Sequence, residues 1–228
     1  MKEIIVLLKV YGDTQSAIRS IENTVRDKIK NLDANTEIYP TEKGWTRIVI
    51  KGEDEDFASN YLKKEYGTPT KKVEAGNVYR GYISSIDDNG VNVDIGIPVT
   101  ITQGALKPLG AGKPTQIASR FGMIPHLPVF IEMVEHEGEL EARFTKEQVD
   151  KWWEWKKSGF DRVFVNSATR SKIKAAIKKT GHGKDIYGIE RIGVMEHVIV
   201  CREGTDGPGI VAEIGPLVKA DMGVIIGS

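Results

Sequence analysis

With 228 residues, the chain has room for one large domain or for two or three small ones that each bury a core. Its 32 basic and 32 acidic side chains cancel, which excludes bulk polycation binding and confines any attraction for nucleic acid to a local surface. The single cysteine, Cys201, excludes an intrachain disulfide, the four scattered histidines form no zinc-type ligand set, and no apolar run is long enough for a bilayer span; a reducing cytoplasm without membrane, metal or cofactor is expected.

The first segment, 1–70, opens on the β-branched run from Glu3 to Val10, which suits a strand covered on both faces. Ala17, Ile18, Ile21, Val25 and Ile29 then recur at three- and four-residue steps, the stripe of an amphipathic helix. Two short strand signals, at Glu37 to Tyr39 and Thr46 to Ile50, flank a turn-rich stretch and predict a hairpin, followed by a helix over Glu53 to Tyr66. This order is most of a ferredoxin-like α/β module. The stretch 67–72 reads as a linker.

The second segment, 71–144, has short β-rich runs broken by Gly, Asp-Asn and Pro, which predicts a small five-stranded barrel with Val78, Ile83, Ile86, Val91 and Val93 inside. Gly76, Val78, Gly81, Ile83, Ile86, Gly90, Val91, Val93, Ile95 and Gly96 are spaced as in the opening half of an S1-type RNA-binding domain, an OB-fold barrel, which the segment resembles. In such domains the resemblance implies outward aromatics that stack bases and cations that hold phosphates. Here Asn89 and Asn92 stand at two aromatic positions, Lys107 at a third-strand histidine, and Glu135 to Glu141 form an acidic rim. Between the third and last strands lies a long insertion, 109–125, read as a surface loop. Its Gly110-Ala-Gly-Lys113 lacks the glycine-to-lysine spacing of a phosphate loop, and Pro114 replaces the Mg²⁺-binding hydroxyl. Lys107 and Lys113 remain as candidate phosphate contacts.

The third segment, 145–228, begins with a helix carrying Trp152, Trp153 and Trp155. Adjacent and next-adjacent residues cannot share one helix face, so at least one tryptophan is expected at the surface or a module interface, a candidate protein-partner site. The ferredoxin-like order then repeats in full: strand 160–166, helix 169–179, strands 186–192 and 197–201, helix 210–218, strand 223–226. The expected fold is therefore α+β, an S1-like OB barrel between two ferredoxin-like modules. Arg162 to Arg170 and Glu196 to Asp206, with the S1-like centre, resemble an archaeal family of conserved proteins without established activity. This resemblance implies an archaeal cytoplasmic setting. The modular plan is also similar to the alpha subunit of archaeal translation initiation factor two.

Charge is segregated within the third segment. From Lys151 to Lys184 there are ten basic residues against two acidic, and from Asp185 onward three against seven. Arg170, Lys174 and Lys178 line up at four-residue steps, and Lys184 follows a glycine turn, so this surface is a candidate for following a phosphate backbone. A solvated helix face capped by Gly181 explains the same residues. Further on, Thr205, Asp206, Gly207 and Gly209 resemble the strand-to-helix turn of ACT-type ligand-sensing domains, where free helix amides take an anion; a tight turn with Pro208 near the helix start explains them equally. No nucleophile elbow, metal-ligand pair or convergent acid–base set is visible, so no catalytic residue is assigned. The function expected is a non-enzymatic RNA- or ribosome-associated binding protein of archaeal translation or RNA metabolism. The alternatives are a small-ligand-sensing regulator using the ACT-like turn, and an adaptor using the tryptophans.

Overall fold

A computed structural model describes all 228 residues, which fall into two compact units, Met1–Lys71 and Lys72–Ser228. In the first, β1 (Lys2–Lys9), α1 (Thr14–Lys28), β2 (Asn35–Pro40), β3 (Trp45–Lys51) and α2 (Glu55–Tyr66) form an antiparallel sheet of order β1-β3-β2 with two helices. The Asp13 carboxylate starts α1 by accepting the Ser16 N–H at 3.1 Å, and Ala17, Ile21 and Val25 make its buried face. Gly67 follows α2 at φ +75°, and its carbonyl accepts the Leu7 N–H at 3.1 Å, tying the helix end to β1. The sheet stops at three strands.

The second unit contains two sheets. β4 (Val78–Asp87), β5 (Gly90–Asp94), β6 (Pro98–Thr102), β7 (Pro128–His136) and β8 (Glu139–Phe144) form an antiparallel sheet of order β6-β5-β4-β7-β8. Its end strands approach one another, with the Thr102 hydroxyl 3.4 Å from the Glu141 carboxylate, but no ladder joins them and no closed barrel forms. Ile83, Val91 and Val93 are fully buried, and Ile86 packs at the core margin. Val78 is a correction: it is 58 % exposed. It lies an odd number of residues before Ile83 with no bulge between them, so the pleat turns it outward; the irregularity that lets Ile86 face inward comes later, between Ile83 and Ser85. Gly81 is required by crowding, since a Cβ there would lie 2.7 Å from the Asp94 carbonyl oxygen.

The insertion is ordered, contrary to the surface-loop expectation. A 3₁₀ turn over Lys107–Leu109 leads to α3 (Pro114–Arg120), with Pro114 in its first turn and Ile117, Ala118 and Phe121 buried. This short helix plugs the central core.

α4 (Lys146–Lys156) joins this sheet to the other, made of β9 (Arg162–Val165), β10 (Ile186–Arg191), β11 (His197–Cys201) and β12 (Met222–Ile225) in the antiparallel order β10-β11-β9-β12. α5 (Arg170–Thr180) and α6 (Gly207–Val218) share a core with Val163, Val165 and Ile199. The alternate residues Phe164, Val198 and Ile225 enter the core of the central sheet. Both faces of the second sheet are thus covered. Where Gly122 meets β12, a Cβ on Gly223 would lie 2.4 Å from the Gly122 carbonyl oxygen, so only glycine permits this approach. No helix is long and apolar enough to cross a membrane.

The tryptophans belong to this junction, the module-interface placement that the helix pattern allows. Trp152 and Trp155, three residues apart on one helix face, are buried: Trp152 packs edge-on to Phe144, with ring centroids 4.8 Å apart, and Trp155 lies against Phe164 at 5.7 Å. Trp153 is half-buried on Phe121 and donates its indole N–H to the Pro108 carbonyl at 3.0 Å. None of the three is left as an exposed anchor.

Candidate nucleic-acid interface

The helix that carries the basic stripe is set by its ends and its apolar face. The Thr169 hydroxyl accepts the Lys172 N–H at 3.3 Å, Gly181 ends α5 in the left-handed region at φ +82°, and Ile173, Ala176 and Ile177 are buried on the sheet. The remaining face presents Arg170, Lys174 and Lys178. Beyond Gly181, a 3₁₀ turn over His182–Lys184 is held by the His182 ring, whose Nδ1 lies 2.8 Å from Asp185 and whose Nε2 lies 2.9 Å from Glu213 on α6. Hydrogen bonds to the two carboxylates, Asp185 first, raise the His182 pKa above its ordinary value.

This fixed turn brings Lys184 to the same place as the stripe. Arg170, Lys174, Lys178 and Lys184 line one open depression of about 670 Å³, floored by Ile177, Ile186 and Ile189 and edged by Gly181, Gly183 and Gly188. No carboxylate lines it. Lys174, Lys178 and Lys184 form no ion pair, while the Arg170 guanidinium donates to the Ile189 carbonyl at 3.1 Å and so is aimed along β10. Like charges four residues apart cost a helix about 0.2–0.5 kcal/mol per pair. The stripe therefore opposes local stability and leaves a locally positive surface.

The other expected residues lie elsewhere. Lys107 and Lys113 are exposed on the connection from β6 to β7 and do not line this depression; the Lys113 ammonium lies 3.9 Å from Asp88. Asn92 is engaged with the Ser85 hydroxyl at 3.0 Å, the Asp87 carboxylate at 3.1 Å and the Thr100 hydroxyl at 2.7 Å. The Asn89 N–H is turned onto Asp87 at 2.8 Å. At Asn89 and Asn92 this sheet has a self-satisfied polar network.

The turn before α6 is also internally occupied. The Gly207 N–H donates to the Asp161 carboxylate at 2.8 Å, the Thr205 hydroxyl donates to the Asp185 carbonyl at 3.2 Å, and the Asp206 carboxylate sits 2.7 Å from where a Cβ on Gly209 would be. The anion that such a helix end attracts is the chain's own Asp161.

Two buried reactive groups are chemically quiet. Burial, with the Arg191 and Arg170 charges, pushes the His197 pKa down to about 4, and neither ring nitrogen reaches hydrogen-bond geometry, the nearby Met195 and Ala168 backbone exerting only a weak opposite pull. Burial pushes the Cys201 thiol up to about 11, which keeps it protonated. Sequence reasoning missed the part played by β10. Gly188 and Ile189 wall the depression because β10 is the outer strand of its sheet, a status set by pairing and not by local pattern.

Three family models match along the chain: the DUF2110 N-terminal domain over residues 3–72, the DUF2110 central domain over 73–156 and the DUF2110 C-terminal domain over 160–226. No curated protein matches the chain.

Proposed function

The chain belongs to the DUF2110 family, and from the arrangement of its cations we propose that it is a non-enzymatic RNA-binding protein of archaeal translation or RNA metabolism, acting in the cytoplasm. The observation that carries this reading is the convergence of Arg170, Lys174, Lys178 and Lys184 on one depression that no carboxylate lines. Arg170 to Lys178 alone spans about 12 Å of helix at 1.5 Å per residue. A single small anion needs donors that close on a point, whereas an open row of this length suits successive phosphates of a polymer.

The topology supports a finer reading of the fold. The order β6-β5-β4-β7-β8, with α3 between the third and fourth strands, is the strand order of an OB-type domain, and β10-β11-β9-β12 with two helices on one face is the order of a ferredoxin-like module. Both are scaffolds reused for many tasks, so the functional argument rests on the cations. The sensor alternative loses its free helix amide to Asp161, and the adaptor alternative loses its tryptophans to the core.

Equilibrium binding of the full chain to single-stranded and hairpin RNA over a range of salt tests the reading. Affinity that falls steeply and log-linearly with salt is expected. An absence of binding at low salt, or binding indifferent to salt, would exclude it.

A further inference from the structure

The outer face of β4 and β7 meets α4 and the end of β10 around a second concavity, of about 600 Å³. We propose that this cleft takes one unstacked base of the bound RNA strand, with the neighbouring phosphates on Arg80, Lys151 and Arg191. The inference rests on the RNA reading above.

The walls suit a flat apolar body. Val78, Leu127, Phe130, Trp152, Trp155 and Ile192 contribute to them, and the volume lies within the range of roughly 300–1,000 Å³ typical of small-ligand sites. Two wall residues are left unusually open for their size and polarity, Val78 at 58 % and Phe130 at 48 % exposure. An open aromatic ring beside an apolar pocket is what base stacking requires. Burial of either side chain by a partner would be favourable.

The rim carries the complementary charge. Arg80 pairs in register with Phe130 across β4 and β7, so a guanidinium and an aromatic ring share one face of the sheet. The Lys151 ammonium lies 4.8 Å from the Trp155 ring centroid, at the cleft wall. Arg191 completes the set from the end of β10. None of the three forms an ion pair, and Glu147 is the single carboxylate among the lining residues. Excess positive charge around an aromatic-lined cavity selects a planar ligand attached to an anionic backbone.

β10 borders both the cleft and the basic depression. β10 contributes Ile189 to the depression and Arg191 to the cleft, two residues apart and so about 7 Å along the strand. Arg170 stands at the junction through its bond to the Ile189 carbonyl. On this assignment a backbone that follows α5 past Arg170 continues to Arg191, where a base turned inward enters the cleft.

The test uses the full chain and a single-stranded oligoribonucleotide with 4-thiouridine at successive positions, cross-linked by light and mapped by mass spectrometry. Cross-links on cleft residues are expected for one register of the probe. Phe130→Ala is expected to weaken oligonucleotide binding about tenfold, in line with the loss of one stacked base, with the salt slope unchanged because no charge is removed. Phe130→Tyr should restore the affinity, and thermal melting checks that each variant is folded. If the wild-type chain binds RNA but cross-links only along α5 and Phe130→Ala binds as tightly as wild type, the cleft assignment is overturned and the RNA reading stands. If the wild-type chain binds no RNA, both are overturned.

Discussion

The Asp161 carboxylate accepts the Gly207 N–H at 2.8 Å with one oxygen and the Gly227 N–H at 2.9 Å with the other, joining the start of α6 to the chain's end beside β9. Two charge-assisted bonds to backbone are made by one side chain. Asp161→Ala leaves both amides without this acceptor, at a cost of about 1.5–3 kcal/mol. Urea denaturation at neutral pH should show the midpoint falling with little change in slope. An unchanged midpoint would mean that water replaces the carboxylate at no cost. Because the amide is already satisfied, free amino acids should not raise the melting temperature of the wild-type protein.

Much of the α+β architecture was legible because local pattern and final environment agree. The strand His197–Cys201 is apolar throughout its interior and is covered on both sides, so nothing competes with its β preference. The stripe Ile173, Ala176, Ile177 likewise fixed which face of α5 is buried and hence which face carries Arg170, Lys174 and Lys178. α3 was missed even though Lys113-Pro114 and the spacing of Ile117 and Phe121 signal a helix start, since the surrounding glycines dominate the local pattern. For the tryptophans only the interface placement was legible, not its partners. Periodicity shows that three cannot share a face, but not that Pro108 and Phe121 wait on the second face to cover Trp153. The cleft beneath α4 was invisible because its residues come from elements as far apart in sequence as β4 and β10.

His182 makes stability depend on pH on the alkaline side. Its carboxylate partners raise the folded pKa above the ordinary value of 6.5, so the protonated ring is favoured by folding. The contribution is fully present below pH 6.5 and is lost as pH rises through the raised folded value. His182→Ala should lower the melting temperature at pH 6 by a few degrees, given that about 1 kcal/mol moves a chain of this size by roughly 2–4 °C, and by less at pH 9. Paired melts at the two pH values measure the difference. An equal effect at both would show that the ring holds the turn by packing and neutral hydrogen bonds alone.

His197 acts on the acid side with the opposite sign. Burial holds its folded pKa near 4 while the unfolded ring titrates near 6.5, so the unfolded state binds more protons between these values and stability falls as pH drops through that window. His197→Leu removes the titration and both unpartnered ring nitrogens. At pH 7 the variant should be about as stable as wild type, since replacing an unsatisfied buried polar group by an apolar one costs little. Between pH 6.5 and 4 it should lose less stability than wild type in urea melts. A parallel decline of the two proteins would assign the acid sensitivity to other groups.

The sharpest test of the basic surface compares substitutions of equal charge at different places. Lys174→Gln with Lys178→Gln removes two cations from the depression, whereas Lys107→Gln with Lys113→Gln removes two exposed cations that lie outside it. Global charge changes by the same amount in both pairs, so a purely long-range attraction to RNA predicts equal losses. Direct phosphate contact predicts otherwise. Each lost contact to single-stranded RNA removes about 0.7 from the slope of log affinity against log salt, so the first pair should flatten the slope by about 1.4 and adding Arg170→Gln and Lys184→Gln should bring the loss to about 2.8. The second pair should leave the slope close to that of wild type. Folding should survive in both, because exposed charges away from buried networks usually change stability within about 0.5 kcal/mol, and removing the like-charge spacing on α5 offsets part of even that. Equal slopes for the two pairs would remove the depression as the RNA contact. A loss confined to the second pair would move that contact to the central sheet.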